Sequence, residues 1–144
     1  MNSGARPSPR TSILHECSLR GHDEFVRGCR AILRGDEVDP SLLVALAGVS
    51  ATNVLAGGEG GVEGYWPRVW AARGLLHAWG VDATDAIIDA TSHPAWRVRE
   101  MAAKVIARHR VADALDAVID LMGDENHRVR AAAERALHRL DDLV

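Results

Sequence analysis

The stretch Trp96-Arg97-Val98-Arg99-Glu100-Met101-Ala102-Ala103-Lys104-Val105-Ile106 recurs as His127-Arg128-Val129-Arg130-Ala131-Ala132-Ala133-Glu134-Arg135-Ala136-Leu137. At a shift of 31 positions Arg97, Val98 and Arg99 fall on Arg128, Val129 and Arg130. Ala102 falls on Ala133, Lys104 on Arg135 and Ile106 on Leu137. A recurrence of this length marks a repeat array, in which each unit buries its apolar face against its neighbours. The segments preceding the two copies recur as well, since Ile87 and Asp89 return as Val118 and Asp120 at the same shift.

Both copies have helical periodicity. Val98, Ala102, Val105, Ile106 and His109 make one stripe, and Val129, Ala133, Ala136, Leu137 and Leu140 make its counterpart. Helices are expected at about residues 95–109 and 127–140. Each follows a first helix, one opened by Asp82 and ended by His93-Pro94, the other over about residues 113–122 and stopped by Gly123. Upstream, Ala72, Leu75, Leu76 and Trp79 share a face of a helix that starts near residues 65–67 and ends at Gly80. Before it, five glycines in residues 57–64 read as a flexible loop. No Gly-Lys-Ser/Thr follows them and no strand pattern precedes, so this is not a phosphate-binding loop. Asp39-Pro40 starts another helix carrying Leu42, Leu43, Leu46 and Val49, which residues 51–56 could continue. The most N-terminal clear helix covers about residues 23–34, with Phe25, Val26, Cys29, Ile32 and Leu33 on one stripe.

The expected organisation is all-α, with about seven helices in antiparallel pairs. Residues 1–12, with Pro7, Pro9 and three serines, read as a disordered tail. Residues 13–144 form one domain: an N-terminal helical cap or divergent repeat over 13–56, the glycine loop over 57–64, and the repeats over 65–144.

The bulk chemistry narrows the function classes. The chain of 144 residues is 47% hydrophobic and 26% charged, ordinary for a globular protein, and its net charge of −3 gives no global pull toward nucleic acid. Cys17 and Cys29 are the only cysteines, nothing resembling a signal peptide precedes them, and no apolar run reaches membrane-spanning length. A cytoplasmic protein with reduced thiols is the expectation. His15, Cys17, His22 and Cys29 have zinc-ligand chemistry, but their spacing fits no compact zinc pattern. No nucleophile elbow, paired Cys/His signature or His-Glu-x-x-His motif occurs, so neither metal nor cofactor is expected, and an enzyme is not.

Helix pairs repeating about every 30 residues, with Val-Arg early in the second helix and Ala-Ala one turn later, resemble HEAT repeats. The short period looks most like the HEAT-like repeats named after phycobilisome lyases. The resemblance covers roughly residues 66–144. It implies an α-solenoid and, for most such arrays, a binding scaffold. It also implies that Arg99 and Arg130 bond an aspartate in a turn of the stack, which Asp124 would supply. His93 holds the equivalent place one repeat earlier. In the preceding copy Trp66, Leu75 and Leu76 match at a shift of 30, Arg68-Val69 at 29 and Ala71-Ala72-Arg73 at 31, so no single register satisfies all three.

In a stacked array the second helices line the concave side. There Arg97, Lys104 and Arg108 lie on one flank of the apolar stripe, and Arg128, Arg135 and Arg139 on the equivalent flank. Asp85, Asp89, Asp113, Asp116 and Asp120 belong to the first helices. A near-neutral chain can thus carry a basic groove and an acidic back. The alternative is a solvated face with local pairs such as Glu100–Lys104. Trp79 is expected in the core, and Trp66 and Trp96 at helix starts as wedges between repeats. Trp70 lies off the stripe between Arg68 and Arg73, as an exposed partner anchor or as a shield over the glycine loop.

The expected function is a protein–protein scaffold that binds an acidic partner through Trp70, Arg73, Arg97, Lys104, Arg108, Arg128, Arg135 and Arg139. The alternative is nucleic-acid or phosphate binding by the same arginines. A more remote one is a HEAT-like enzyme of the bilin lyase or DNA glycosylase type. Self-association is possible because short arrays expose apolar ends.

Overall fold

A computed structural model of the chain describes residues 8–142. Nine α-helices follow one another among them: α1 (Pro9–Arg20), α2 (His22–Leu33), α3 (Pro40–Ala47), α4 (Val49–Leu55), α5 (Trp66–His77), α6 (Thr84–Ala90), α7 (Trp96–His109), α8 (Leu115–Leu121) and α9 (His127–Asp141). The fold is an all-α solenoid. Short 3-10 turns at Val81–Ala83 and Ala112–Ala114 introduce α6 and α8. The starts of the turn, the first helix and the second helix each recur 31 residues later, as the sequence echo requires.

Second helices form a row in which α5 packs on α7 and α7 on α9. First helices lie beside it, α6 on α7 and α8 on α9. Buried positions explain the row. Pro67, Val98 and Val129 are 31 residues apart, as are Ala71, Ala102 and Ala133, and all six are buried. Alanine at the closest approach lets neighbouring helices come together without a void. The same register aligns Arg68 with Arg99 and Arg130. The mixed shifts seen in sequence therefore resolve to 31, and Trp66 corresponds to Arg97 rather than Trp96.

The N-terminal part is more helical than its composition suggests. Residues 8–12, expected in a disordered tail, belong to the start of α1: the Ser8 side chain accepts from the Thr11 amide, Pro9 opens the helix and Ile13 is fully buried. Residues 1–7 of that expected tail lie outside the described residues. Asp39 caps α3 as its sequence requires, accepting from the Ser41 and Leu42 amides. The helix does not run on, because Gly48 breaks it at φ 60°, ψ −130° and α4 starts afresh. Residues 58–63, expected in a flexible loop, form compact 3-10 turns with left-handed backbone at Glu59 and Gly60.

α2 packs on α5 and on the turn before α6, while α1 and α3 lie against α5. Gly74 makes the α2–α5 approach possible: a Cβ there would stand 2.7 Å from Cys29 Sγ and 3.0 Å from Leu46 Cδ2. One continuous core runs from Ile13 to Leu140. Trp79 is only half-buried against it, a correction to its expected core position, and stacks on His109 at 5.1 Å. No described helix is long and apolar enough to cross a membrane.

Candidate binding face

The second-helix face is built on a repeated arginine. Arg99 donates from Nε and Nη2 to the two Asp124 carboxylate oxygens at 2.8 and 3.1 Å. Its Nη1 donates to the His93 and Pro94 carbonyls at 2.9 and 2.8 Å. Arg130 repeats the second arm, donating to the Asp124 and Glu125 carbonyls, and Arg68 does so to Glu63 and Gly64. Each arginine thus ties its own turn, and Arg99 also ties the next repeat. Burial raises the Asp124 carboxyl, but its hydrogen bond from Arg99, the Asn126 amide and the nearby guanidinium charges outweigh that and hold it below the ordinary aspartate range.

The rung one repeat earlier is different. His93 Nδ1 accepts from the Ala95 amide at 3.0 Å, just as Asp124 accepts from the Asn126 amide at 2.9 Å. The imidazole therefore keeps the turn but supplies no anion to Arg68. Burial, then the charges of Arg68 and Arg99, lower the His93 pKa, so the ring stays neutral.

Arg97 and Arg128 are held by aromatic rings. The Arg97 guanidinium lies 4.5 Å from the Trp96 ring centroid and 5.4 Å from that of Trp66. Arg128 lies 5.3 Å from Trp96. Tyr65 stacks on Trp66 at 5.1 Å, and Trp66 on Trp70 at 6.1 Å. The result is one run of alternating rings and cations across three second helices. Each cation–π contact contributes about 0.5–1 kcal/mol.

Glu100 is the residue that sequence reasoning undervalued. Its side chain is buried and takes Arg128 Nε at 3.1 Å and Lys104 Nζ at 3.9 Å. The helical spacing to Lys104 was legible. The inter-repeat contact to Arg128 was not, because Val69 and Ala131 occupy the equivalent repeat positions.

The remaining expected residues fall into two groups. Arg108, Arg135 and Arg139 are exposed and form no ion pair among the described residues. Arg139 donates only to the Ala107 carbonyl, at 3.4 Å. Arg73 is half-buried, again without an ion pair, and donates to the Leu46 carbonyl at 2.7 Å. His77, one turn further along α5, has its pKa lowered by burial and then by Arg108, Arg10, Arg73 and His109. The charges of Arg108, Arg10 and Arg73 thus add to burial in disfavouring protonation of His77.

Trp70 is not an exposed anchor. It is buried with 6% of its surface accessible, because α5 is enclosed by helices on several sides and has no broad solvent face. Its edge instead lines an open groove against α4, with Val49, Ser50, Asn53, Val54, Glu59 and Trp66. On the first helices Asp85, Asp89, Asp116 and Asp120 are all exposed, as is Asp113 in the turn before α8. Among the described residues no cluster of three or more histidines, cysteines or carboxylates could hold a metal ion.

A family model for HEAT repeats matches residues 65–142, more than half of the chain. The chain belongs to the HEAT repeat family. No curated protein and no solved structure matches it. HEAT repeats generally mediate protein–protein interaction and generally act as non-enzymatic scaffolds. The matched region covers α5 to α9, the helices that carry the arginine rungs and the ring–cation run.

Proposed function

We propose that this HEAT repeat protein is a cytoplasmic scaffold whose second-helix face binds an acidic partner protein. One observation carries the reading. Arg108 and Arg135 are exposed on that face without carboxylate partners, α6 and α8 carry only acidic charges, and the acids of α7 and α9 (Glu100, Glu134 and Asp141) are outnumbered there by lysine and arginine. Their neighbours Arg97, Lys104 and Arg128 are already committed to rings or to Glu100, which holds the face in a defined shape for docking. A surface of one sign raises the encounter rate with a partner of the other and rejects like-charged proteins. The 31-residue period supports assignment to the short HEAT-like type named after phycobilisome lyases, without importing lyase chemistry.

The test is partner capture by the full chain, comparing wild type with Arg108→Glu/Arg135→Glu. Loss of the captured protein with an unchanged helical spectrum is expected. Unchanged capture overturns the assignment of the face. A nucleic acid ligand is the other reading of the same arginines. It predicts oligonucleotide binding that weakens steeply with salt, and no binding at low salt removes it.

A further inference from the structure

The groove between α4 and α5 continues past Trp70 toward α1 and α3. Its first part has a volume of about 410 Å³ and its second about 520 Å³, and both are lined by Val49, Ser50 and Trp70. These sizes are those of ligand-binding clefts. The walls carry apolar side chains left in solvent: Val49 is 76% exposed and Val44 42%. The second part ends on Arg73.

Arg73 is the unusual member. Its Nη2 donates to the Leu46 carbonyl, its buried Nε has no acceptor, and it forms no ion pair among the described residues. Burial alone lowers its pKa, so the charge is held where it is poorly solvated. Every other half-buried arginine on this face has anionic, aromatic or repeated carbonyl partners. A cation beside apolar walls and without an anion is complementary to a carboxylate attached to an apolar chain.

We propose that this groove binds a short segment of the partner protein in which apolar residues flank an acidic one, its carboxylate pairing with Arg73. The apolar side chains cover Val44, Val49 and the edges of Trp66 and Trp70. This rests on the scaffold reading above and adds the chemistry of the recognised segment. Arg108 and Arg135 lie outside the groove lining and steer the partner, whereas Arg73 reads the segment.

Selection of a random peptide library on the purified full chain, followed by affinity measurement of an enriched peptide, tests it. Enriched peptides are expected to share an acidic residue next to apolar ones. Changing that acid to its amide should weaken binding to wild type about ten-fold or more, and leave binding to Arg73→Met little changed. The peptide substitution leaves the protein intact, so the result does not depend on Arg73→Met folding normally. Val49→Asp, at an exposed position, should also abolish binding. No enrichment, enrichment without an acidic residue, or an amide peptide that binds as well as its parent overturns the proposal. Peptides that bind while partner capture ignores Arg108→Glu/Arg135→Glu would leave the groove standing and remove the basic face. Capture that depends on those arginines with no peptide selected would do the reverse.

Discussion

Replacing Asp124 by alanine removes the buried anion from the joint between the last two second helices and leaves Arg99 only the exposed Glu125 carboxylate, at 3.9 Å. Arg99 and Asp124 are paired through two bonds, with side chains only 11% and 9% exposed. Breaking a buried pair by deleting one partner costs about 3–5 kcal/mol, because the other charge remains desolvated. Here the loss is smaller, since Arg99 keeps the His93 and Pro94 carbonyls. The Asn126 amide also loses its acceptor, which adds about 1 kcal/mol. The expected net is roughly 2–4 kcal/mol for Asp124→Ala. Asp124→Asn keeps an acceptor for the amide and one neutral bond to Arg99, and should cost about half as much. Urea denaturation followed by circular dichroism measures both, and Asp116→Ala, exposed on α8, serves as the control with under about 0.5 kcal/mol. A shift for Asp124→Ala no larger than the control would refute the claim that this pair locks the repeats. Acid titration adds a sign. The depressed Asp124 carboxyl contributes stability that is present above the ordinary aspartate value of 3.8 and lost as pH falls through its lower folded value.

Three further outcomes follow from the same geometry. His93→Asp keeps the acceptor for the Ala95 amide and gives Arg68 an anion, so the thermal midpoint should rise by the equivalent of about 1 kcal/mol; a fall would contradict the equivalence of the two rungs. His77, His93 and His109 all have pKa values lowered by burial, so the unfolded chain binds more protons on acidification, and stability should drop as pH falls below about 6.5; a flat profile between pH 7.5 and 5.5 would contradict their neutral state. Gly74→Ala should destabilise by about 1–3 kcal/mol despite the better helix propensity, because the new Cβ meets Cys29, Leu46 and Phe25, all buried; a stabilised variant would mean that α2 yields readily.

The repeats are legible because the buried stripe of α7 recurs in α9: Val98, Ala102 and Val105 have counterparts in Val129, Ala133 and Ala136, all buried. Val98 and Val129 read as core in any register that respects a 3.6-residue period. α1 was not legible, since Ile13 is its one fully buried side chain and Pro7, Pro9 and the serines imitate a tail. The burial of Trp70 is not legible in the stripe either, for a related reason. Stripe arithmetic assumes one solvent face, and α5 packs against α1, α2, α3 and α7. The basic flank was visible residue by residue, but its internal neutralisation was not. Arg97 between Trp66 and Trp96, and Arg128 on Glu100, depend on contacts between repeats that a single helix pattern does not encode. Arg73 stood out in sequence only as a repeat position shared with Lys104 and Arg135; its lack of a partner needed the packed structure.

The most direct measurement places a photo-crosslinking amino acid at Arg108 or Arg135 on the second helices, and at Asp85 or Asp116 on the first. The full chain is then irradiated with its captured partner. Adducts from the second-helix positions, absent from the first-helix positions, are the expected result. Adducts from the first-helix positions alone, or equally from both, would contradict the assignment of the basic face as the binding surface.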